Sequence, residues 1–387
     1  MKNLLALAVS VVALAIAVPS VGHENHAPKP APRALDFPAL KDGRSAFAVD
    51  LHTHSVFSDG HVWPSIRVEE AQRDALDVLA VTEHLEYQPH AADIPHPDRN
   101  RSFVVAQEEY RRRIERNGAP DNLVIINGAE ITRQLPYGHI NATFLTDANA
   151  LLTPDAEAAI AAANAQKAFV FFNHQAWPAQ RPSGVAELTP EQKSLIARKQ
   201  IHGAEVVNGD TFSEDVFQFS IDNNLTILGT SDIHGLIDWD YNLAQGEQRS
   251  ITLVLTKDFT ADAIKAALFA GDTVAVFRDQ LVGLERNVKA VAESTLRLEI
   301  GDYQRNSTVL NVTLHNDAPI DALLRNIGGA GLQNQSDVLA IPAHGSINLQ
   351  VRNVAAPEGF TMELDMLSAW IAPRKNLRLT LFGAPAK

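Results

Sequence analysis

The sequence predicts an α/β protein in two parts: a parallel arrangement of strands and helices, closed or open, over residues 45 to 283, then a small antiparallel β domain over 284 to 387. Three observations predict it. From Ser45 to about Gly283, short apolar strands alternate with helical stretches, as in repeated βα units. Most of those strands are continuous apolar runs, which strands covered on both faces require. After Leu284 the pattern changes to a period of two, in STLRLEI, TVLNVTLHND, GSINLQVRN and NLRLTLF, with Asn, Asp, Gly and Pro between the segments.

Taken in order, the chain begins with a basic residue, Lys2, followed by LLALAVSVVALAIAV and small residues near Ser20, Val21 and Gly22. This is the pattern of a secretion signal over 1 to 22. The apolar run is short for a bilayer, which needs ~20 such residues. Residues 23 to 44 are rich in proline and charge and read as a linker with little fixed structure, His23 and His26 included. No later segment is apolar enough to span a membrane, so none is expected beyond the signal. The strand candidates are residues 45–51, 77–82, 122–131, 139–145, 168–173, 203–208, 225–230 and 251–255. Between them lie helix candidates: VEEAQRDA, the charged EEYRRRIERNG, TPDAEAAIAAANAQ with Thr153 as cap and Pro154 in the first turn, TPEQKSLIARKQ and FTADAIKAALFAG.

Composition removes several function classes. There is no cysteine, so disulfides and thiolate metal sites are excluded, and any metal site must use nitrogen and oxygen. With 46 acidic and 33 basic residues the formal charge is -13, and loss of Lys2 with the signal makes it -14. Such a surface does not track a nucleic-acid duplex by bulk electrostatics. The sequence leaves the oligomeric state open.

The residues capable of chemistry fall mostly at the C-terminal ends of predicted strands, which in a parallel α/β barrel converge on one face. His52 and His54 end the first strand, and their i, i+2 spacing sets both side chains on one side of an extended chain. His84 follows DVLAVT, Glu130 ends NLVIINGAE, His139 starts the returning strand, and His174 follows AFVFFN. Asp232 and His234 follow LTILGT, again at i, i+2. Any one of these is weak evidence. Ten of the fourteen histidines lie between 45 and 283, however, and six occupy such positions. Imidazole and carboxylate are ligands for Zn, Mn or Fe(II).

The motifs HTH, SDG, TEH, GAEI, GHI, FFNH and SDIH, in that order, resemble the PHP (polymerase and histidinol phosphatase) superfamily of metal-dependent phosphoesterases, over roughly residues 48 to 277. The resemblance implies a distorted (β/α)7 barrel and two to three divalent ions (Mn, Zn or Fe). It implies one ion on His52, His54, Glu130 and Asp232, a second on Glu130, His139 and His174, and a third on Asp59, His84 and His234. TEH stands where many members have TDH, and Glu83 precedes the ligand there without supplying it.

Such a centre implies attack on phosphorus by a hydroxide shared between ions, with the metals neutralising charge in an in-line displacement. Arg133 and Arg181 are candidates to complete a cationic clamp, or are surface residues. His61 stands as a candidate acid for the leaving alkoxide, or as a loop residue beside the pocket. Trp63, Trp177 and Trp239 either form an aromatic wall for an ester group or pack loops onto the barrel. Asn208 is placed at the pocket rim; Glu205 carries no assignment. The expectation is an exported, periplasmic phosphoesterase acting on a small phosphoester. By resemblance to an exported branch of the superfamily it is a phosphodiesterase. The alternatives are a phosphomonoesterase of nucleotides or sugar phosphates, or a non-catalytic periplasmic metal-binding protein.

Overall fold

A computed structural model describes residues 35–355 and 359–383; the secretion signal expected at 1–22, the linker up to residue 34, and His23 and His26 lie outside them. The rest of the expected linker is anchored. Leu35 and Leu40 are buried in the main apolar core, and Arg44 pairs with Asp42 at 2.7 Å.

The first half of the barrel contains β1 (Ser45–Asp50), α1 (Pro64–Arg73), β2 (Val78–Val81), α2 (Arg101–Asn117), β3 (Val124–Ile131), β4 (Ile140–Thr143), α3 (Ala156–Ala165) and β5 (Phe169–Phe172). The second half contains α4 (Pro190–Ala197), β6 (Gly203–Asn208), β7 (Thr211–Phe212), α5 (Glu214–Asp222), β8 (Thr226–Thr230), α6 (Ile237–Asp240), β9 (Ile251–Thr256), α7 (Ala261–Ala270), β10 (Thr273–Phe277) and β11 (Gln280–Gly283). Local chemistry sets the helix ends. Thr189 and Gln192 form a capping box on α4, with Pro190 in its first turn. Gly118 and Gly271 end α2 and α7 in the left-handed conformation. On α3 the cap is Asp155, not Thr153: its carboxylate accepts from the Ala158 N–H at 2.8 Å, and an anion there also meets the positive end of the helix dipole.

β1, β2 and β3 run parallel, β4 returns antiparallel between β3 and β5, and β5, β6 and β8 continue in parallel. The ends of β1 and β8 are joined where the His54 N–H donates to the Ile233 carbonyl at 3.1 Å and the Asp232 N–H to the His52 carbonyl at 2.9 Å. The sheet thus closes as a distorted α/β barrel at the C-terminal ends of its strands. β9 departs from the parallel pattern and pairs antiparallel to β1. Its approach from β8 contains the four-residue α6 and a three-residue 3-10 turn at Leu243–Gln245, with no crossover helix long enough to return the chain to the opposite end of the sheet.

β10 and β11 extend the antiparallel edge, and α8 (Glu285–Thr295) leads into the C-terminal strands. These are β12 (Leu296–Tyr303), β13 (Leu310–Asn316), β14 (Ala322–Asn326), β15 (Val338–Ile341), β16 (Gly345–Val351), β17 (Phe360–Ala372) and β18 (Lys375–Gly383). β12, β13 and β16 form one antiparallel sheet, while β15, β14, β17 and β18 pair antiparallel with one another and continue the barrel's own sheet through β11. Burial alternates along β12, β14 and β18, as the period of two requires. β11 pairs in parallel with β17, and one apolar core holds Val68 and Leu79 of the barrel together with Leu314 and Leu364.

Candidate metal centre

The strand ends build the site. The chain leaving β1 stays extended and fully buried through His52, Thr53 and His54, so both imidazoles enter the barrel mouth. His84 and Glu83 follow β2, Glu130 ends β3, His139 precedes β4, Asn173 and His174 follow β5, and Asp232 and His234 follow β8. Asp59 is delivered by the SDG turn. A Cβ on Gly60 would lie 2.7 Å from the Ser55 nitrogen, so only glycine allows that loop to fold back on the HTH segment. His174 (φ 26°) and Asp232 (φ 50°) adopt positive φ, a strained conformation of the kind concentrated at functional sites.

Around the first predicted position, His52 Nε2 and His54 Nε2 are 3.0 Å apart, each 3.1 Å from Asp232 Oδ1 and 3.3 Å from Glu130 Oε2. Around the second, Glu130 Oε1 lies 2.8 Å from His139 Nδ1 and 3.5 Å from His174 Nε2. Around the third, Asp59 lies 3.4 Å from His84 Nε2 and 3.2 Å from His234 Nε2. The groups share members. His54 also belongs with Asp59, His84 and His234, and His84 Nδ1 is 2.9 Å from Glu130 Oε2, so the three sets form one continuous cluster.

Charge inside the cluster is mutually dependent. Burial alone raises the Glu130 carboxyl, but the imidazoles of His84 and His52, with hydrogen bonds from His139 and His174, hold it well below the usual range. Asp232 and Asp59 are likewise held low against burial, by His52 and His54 for the first and by His234 and His84 for the second. His84 is pushed up to about 10 despite burial, through Glu130 and Asp59. His54 is pushed down to about 3, by burial and by the charges of His234 and His84, which leaves its ring neutral.

The donor set fits divalent cations on two observations. His52 Nδ1 lies 2.7 Å from Glu205 Oε1, and because a carboxylate only accepts, that nitrogen is assigned the proton. Nε2 is then the nitrogen that faces Asp232 at 3.1 Å and Glu130 at 3.3 Å, a position that holds a proton or, in its place, a cation. In addition, Asp59 Oδ1 and Asp232 Oδ1 are buried without a hydrogen-bond partner. Convergent lone pairs of this kind are stabilised by a cation, and nitrogen with oxygen suits Zn, Mn or Fe(II).

Residues outside the nine aim them. Glu83 accepts from the Ser55 N–H at 3.0 Å and the Ser58 hydroxyl at 2.5 Å, and Ser58 Oγ lies 3.2 Å from His54 Nδ1. Thr132 Oγ1 is 2.7 Å from His84 Nδ1, and Asn173 donates to Glu130 Oε1 at 2.9 Å. Arg67, buried, donates to the carbonyls of His54 at 2.8 Å and His234 at 2.9 Å. None of these was assigned a role from sequence. The one available signal was a charged or amide group inside an otherwise apolar segment, as for Glu205 in GAEVVN.

The predicted catalytic side chains are placed differently. Arg133 pairs with Glu86 at 2.7 Å and donates to the Thr153 carbonyl at 2.7 Å, while Arg181 donates to the Glu187 carbonyl within its own loop. The His61 N–H donates to the His234 carbonyl at 2.8 Å, but its exposed ring lies against Trp239 at 6.5 Å. Trp177, 43% exposed, stands 5.6 Å from the His139 ring and 5.3 Å from the His174 ring. Tyr87 stands 5.8 Å from His84, whereas Trp63 packs on Phe57. Asn208 Nδ2 lies 3.3 Å from Asp232 Oδ2 and so reaches the cluster.

Comparison with known proteins identifies both halves of the chain. Residues 296–382 match a family model described as an Ig-like domain. The whole chain is similar to a crystal structure from Bacteroides vulgatus, a two-domain protein containing a predicted PHP-like metal-dependent phosphoesterase. The identity is 34%, over 90% of this chain and 98% of that one, with a TM-score of 0.81. A candidate metal-dependent phosphoesterase from Bifidobacterium adolescentis shares 18% identity over 48% of this chain and 87% of its own, with a TM-score of 0.35. An amidohydrolase from Chromobacterium violaceum, solved with sulfate and no metal, shares 15% over 48% of this chain and 87% of its own, at 0.33. No curated protein matches the chain by sequence.

Proposed function

Given that the chain belongs to the PHP-like metal-dependent phosphoesterases, we propose that it is an exported phosphodiesterase that hydrolyses small phosphodiesters. His52, His54, Glu130 and Asp232 would hold one ion, Glu130, His139 and His174 a second, and Asp59, His84 and His234 a third. Bound divalent ions supply Lewis acidity and a water acidic enough to ionise near neutral pH. The protein's own part is to fix the donors. Arg67 ties the two rim segments together through their carbonyls, Ser58 and Thr132 set the His54 and His84 rings, and Asn208 holds Asp232.

The observation that carries the diester preference is the state of the two arginines. A monoester dianion is best met by a free guanidinium, but Arg133 is tied to Glu86 and the Thr153 carbonyl, and Arg181 to its own loop. A diester carries one negative charge and two organic groups. The half-exposed Trp177 beside His139 and His174 offers one of those groups an apolar face. Export is supported by the signal-like segment at 1–22.

The test is a comparison of bis(p-nitrophenyl) phosphate with p-nitrophenyl phosphate, on protein loaded in turn with Mn, Zn and Fe(II). Faster turnover of the monoester with every metal would sink the diester proposal and leave a phosphomonoesterase. Tight metal binding without turnover of either ester would leave a metal-binding protein. N-terminal sequencing of the protein recovered from a periplasmic fraction tests export, and an uncleaved Met1 would overturn it.

A further inference from the structure

We propose that Glu205 is the positioning residue for two metal positions at once, fixing the face His52 presents to one and the turn that aims His174 at the other. Glu205 lies in the middle of β6, and its side chain is fully buried. Four donors surround its carboxylate. Oε1 accepts from His52 Nδ1 at 2.7 Å and from the Thr230 hydroxyl at 2.8 Å. Oε2 accepts from the His174 backbone N–H at 2.8 Å and from Asn208 Nδ2 at 2.9 Å. Through Asn208, whose Nδ2 also lies 3.3 Å from Asp232 Oδ2, the same carboxylate extends to a third predicted ligand.

Each contact has a distinct consequence. An acceptor at His52 Nδ1 requires the proton there and so leaves Nε2 free to ligate; a carboxylate behind a metal-bound imidazole also makes it a stronger base. The contact to His174 is with the main chain of a residue at φ 26°, so Glu205 stabilises the strained turn that brings the ring into the site. Both oxygens of Glu205 are taken up by these four donors, which sets it behind the ligands. The ion pairs of Glu205 among the described residues include no lysine or arginine, so its buried charge is compensated only by hydrogen bonds and by whatever charge the neighbouring cluster carries.

The proposal rests on the metal reading of the site, and the unsubstituted protein tests that reading separately. Purified wild type and Glu205→Gln, stripped and reloaded with manganese alone, are titrated with a competing chelator while the bound manganese is counted. Glutamine keeps the volume, but its amide N–H₂ has to face one of the donor pairs. The expected result is a loss of manganese affinity of about 10- to 100-fold at the positions containing His52 and His174, with the position of Asp59, His84 and His234 unchanged. Unchanged affinity at all positions overturns the proposal. Equal weakening at all three, with lower stability of the metal-free protein, also overturns it, because that is the signature of a general structural role. Manganese-free wild type would sink the metal reading and this inference together, and is distinguished by appearing without any substitution. Should Glu205→Gln not fold, Asn208→Ala removes the link to Asp232 and one donor to Glu205 Oε2, and leaves the contacts of Glu205 to His52, Thr230 and His174 in place. It should weaken the first position and spare the third; no change at the first position would count against the relay.

Discussion

At the end of β1, two residues separate two buried clusters of opposite character. Asp50, the last residue of the strand, lies 3.4 Å from the guanidinium of Arg249, which also pairs with Asp74; all three side chains are buried. Two residues later, His52 enters a cluster in which the ion pairs of Glu130, Asp232 and Asp59 among the described residues run only to imidazoles. The lower cluster contains its own permanent cation. In the upper one the positive charge is a proton on histidine, which a metal ion can replace. This difference separates an ion-pair network that holds a barrel together from one that can bind a catalytic cation.

The comparison is broken most severely on the metal side. Asp232→Ala removes the carboxylate that faces both His52 and His54. Turnover of the better phosphoester should fall by ~10³-fold or more, the scale of losing a main electrostatic element of a transition state. Manganese should leave the first position, while urea unfolding of the chelated protein shifts little. Retention of full activity would remove Asp232 from the site.

On the arginine side the effect should appear in stability instead. Arg249→Met strands Asp50 in the interior and leaves Asp74 only its pair with Arg73 at 2.7 Å, a loss of about 3–5 kcal/mol in urea unfolding. Asp50→Asn added to it should restore most of that loss, because the cost lies in the unpaired charge of Asp50. The folded variant should still bind manganese in the wild-type ratio. Loss of metal without loss of stability would mean that the two clusters are not separable.

The two clusters also differ in how far the sequence discloses them. The histidines and acids of the metal centre are legible because polar groups recur at strand ends, where short spacings such as HTH and SDIH place them together. The barrel and the antiparallel C-terminal strands are legible for a related reason: periodicity is local. Arg67 and Arg249 are not legible, since each is a single charge that ties distant segments together: Arg67 pairs with the nearby Glu70 but also reaches the Ile233 carbonyl 166 residues away, and Arg249 reaches Asp50 across 199 residues. Glu205 is hidden in the same way, 153 residues from His52. His61 shows the reverse failure. Its type and neighbours suggest chemistry, but the turn after Gly60 leaves its ring outside the cluster.

Asp59 sharpens the comparison by lying between the extremes. Its side chain is 21% exposed and that of His234 is 34%, against 0% for Glu130. Asp59→Ala should therefore empty one ion position and leave two filled, with turnover reduced by about 10²- to 10³-fold. Loss of all manganese would contradict the partition, and His54, shared between the first and third groups, would be the route of that coupling.

Asp77 is the remaining case, a half-buried carboxylate with neither arginine nor imidazole beside it. Its Oδ2 accepts from the Ala48 N–H at 2.7 Å, yet burial outweighs that bond and pushes its carboxyl up to about 6. The folded state thus holds this proton more tightly than the unfolded chain, where an aspartate titrates near 3.9. Between those two values the unfolded state has released the proton and the folded state has not, so stability falls as pH rises from about 4 to about 6 and then levels off. The two-unit shift corresponds to about 3 kcal/mol, an upper value for a group that keeps some contact with solvent. Asp77→Asn keeps an acceptor for Ala48 and does not titrate. Its stability relative to wild type should rise by about 2 kcal/mol between pH 4.5 and pH 7, measured by urea unfolding with chelator present so that metal loss affects both proteins equally. A flat difference across that range would show that Asp77 ionises freely, and that a half-buried carboxylate in this barrel requires neither guanidinium nor imidazole beside it.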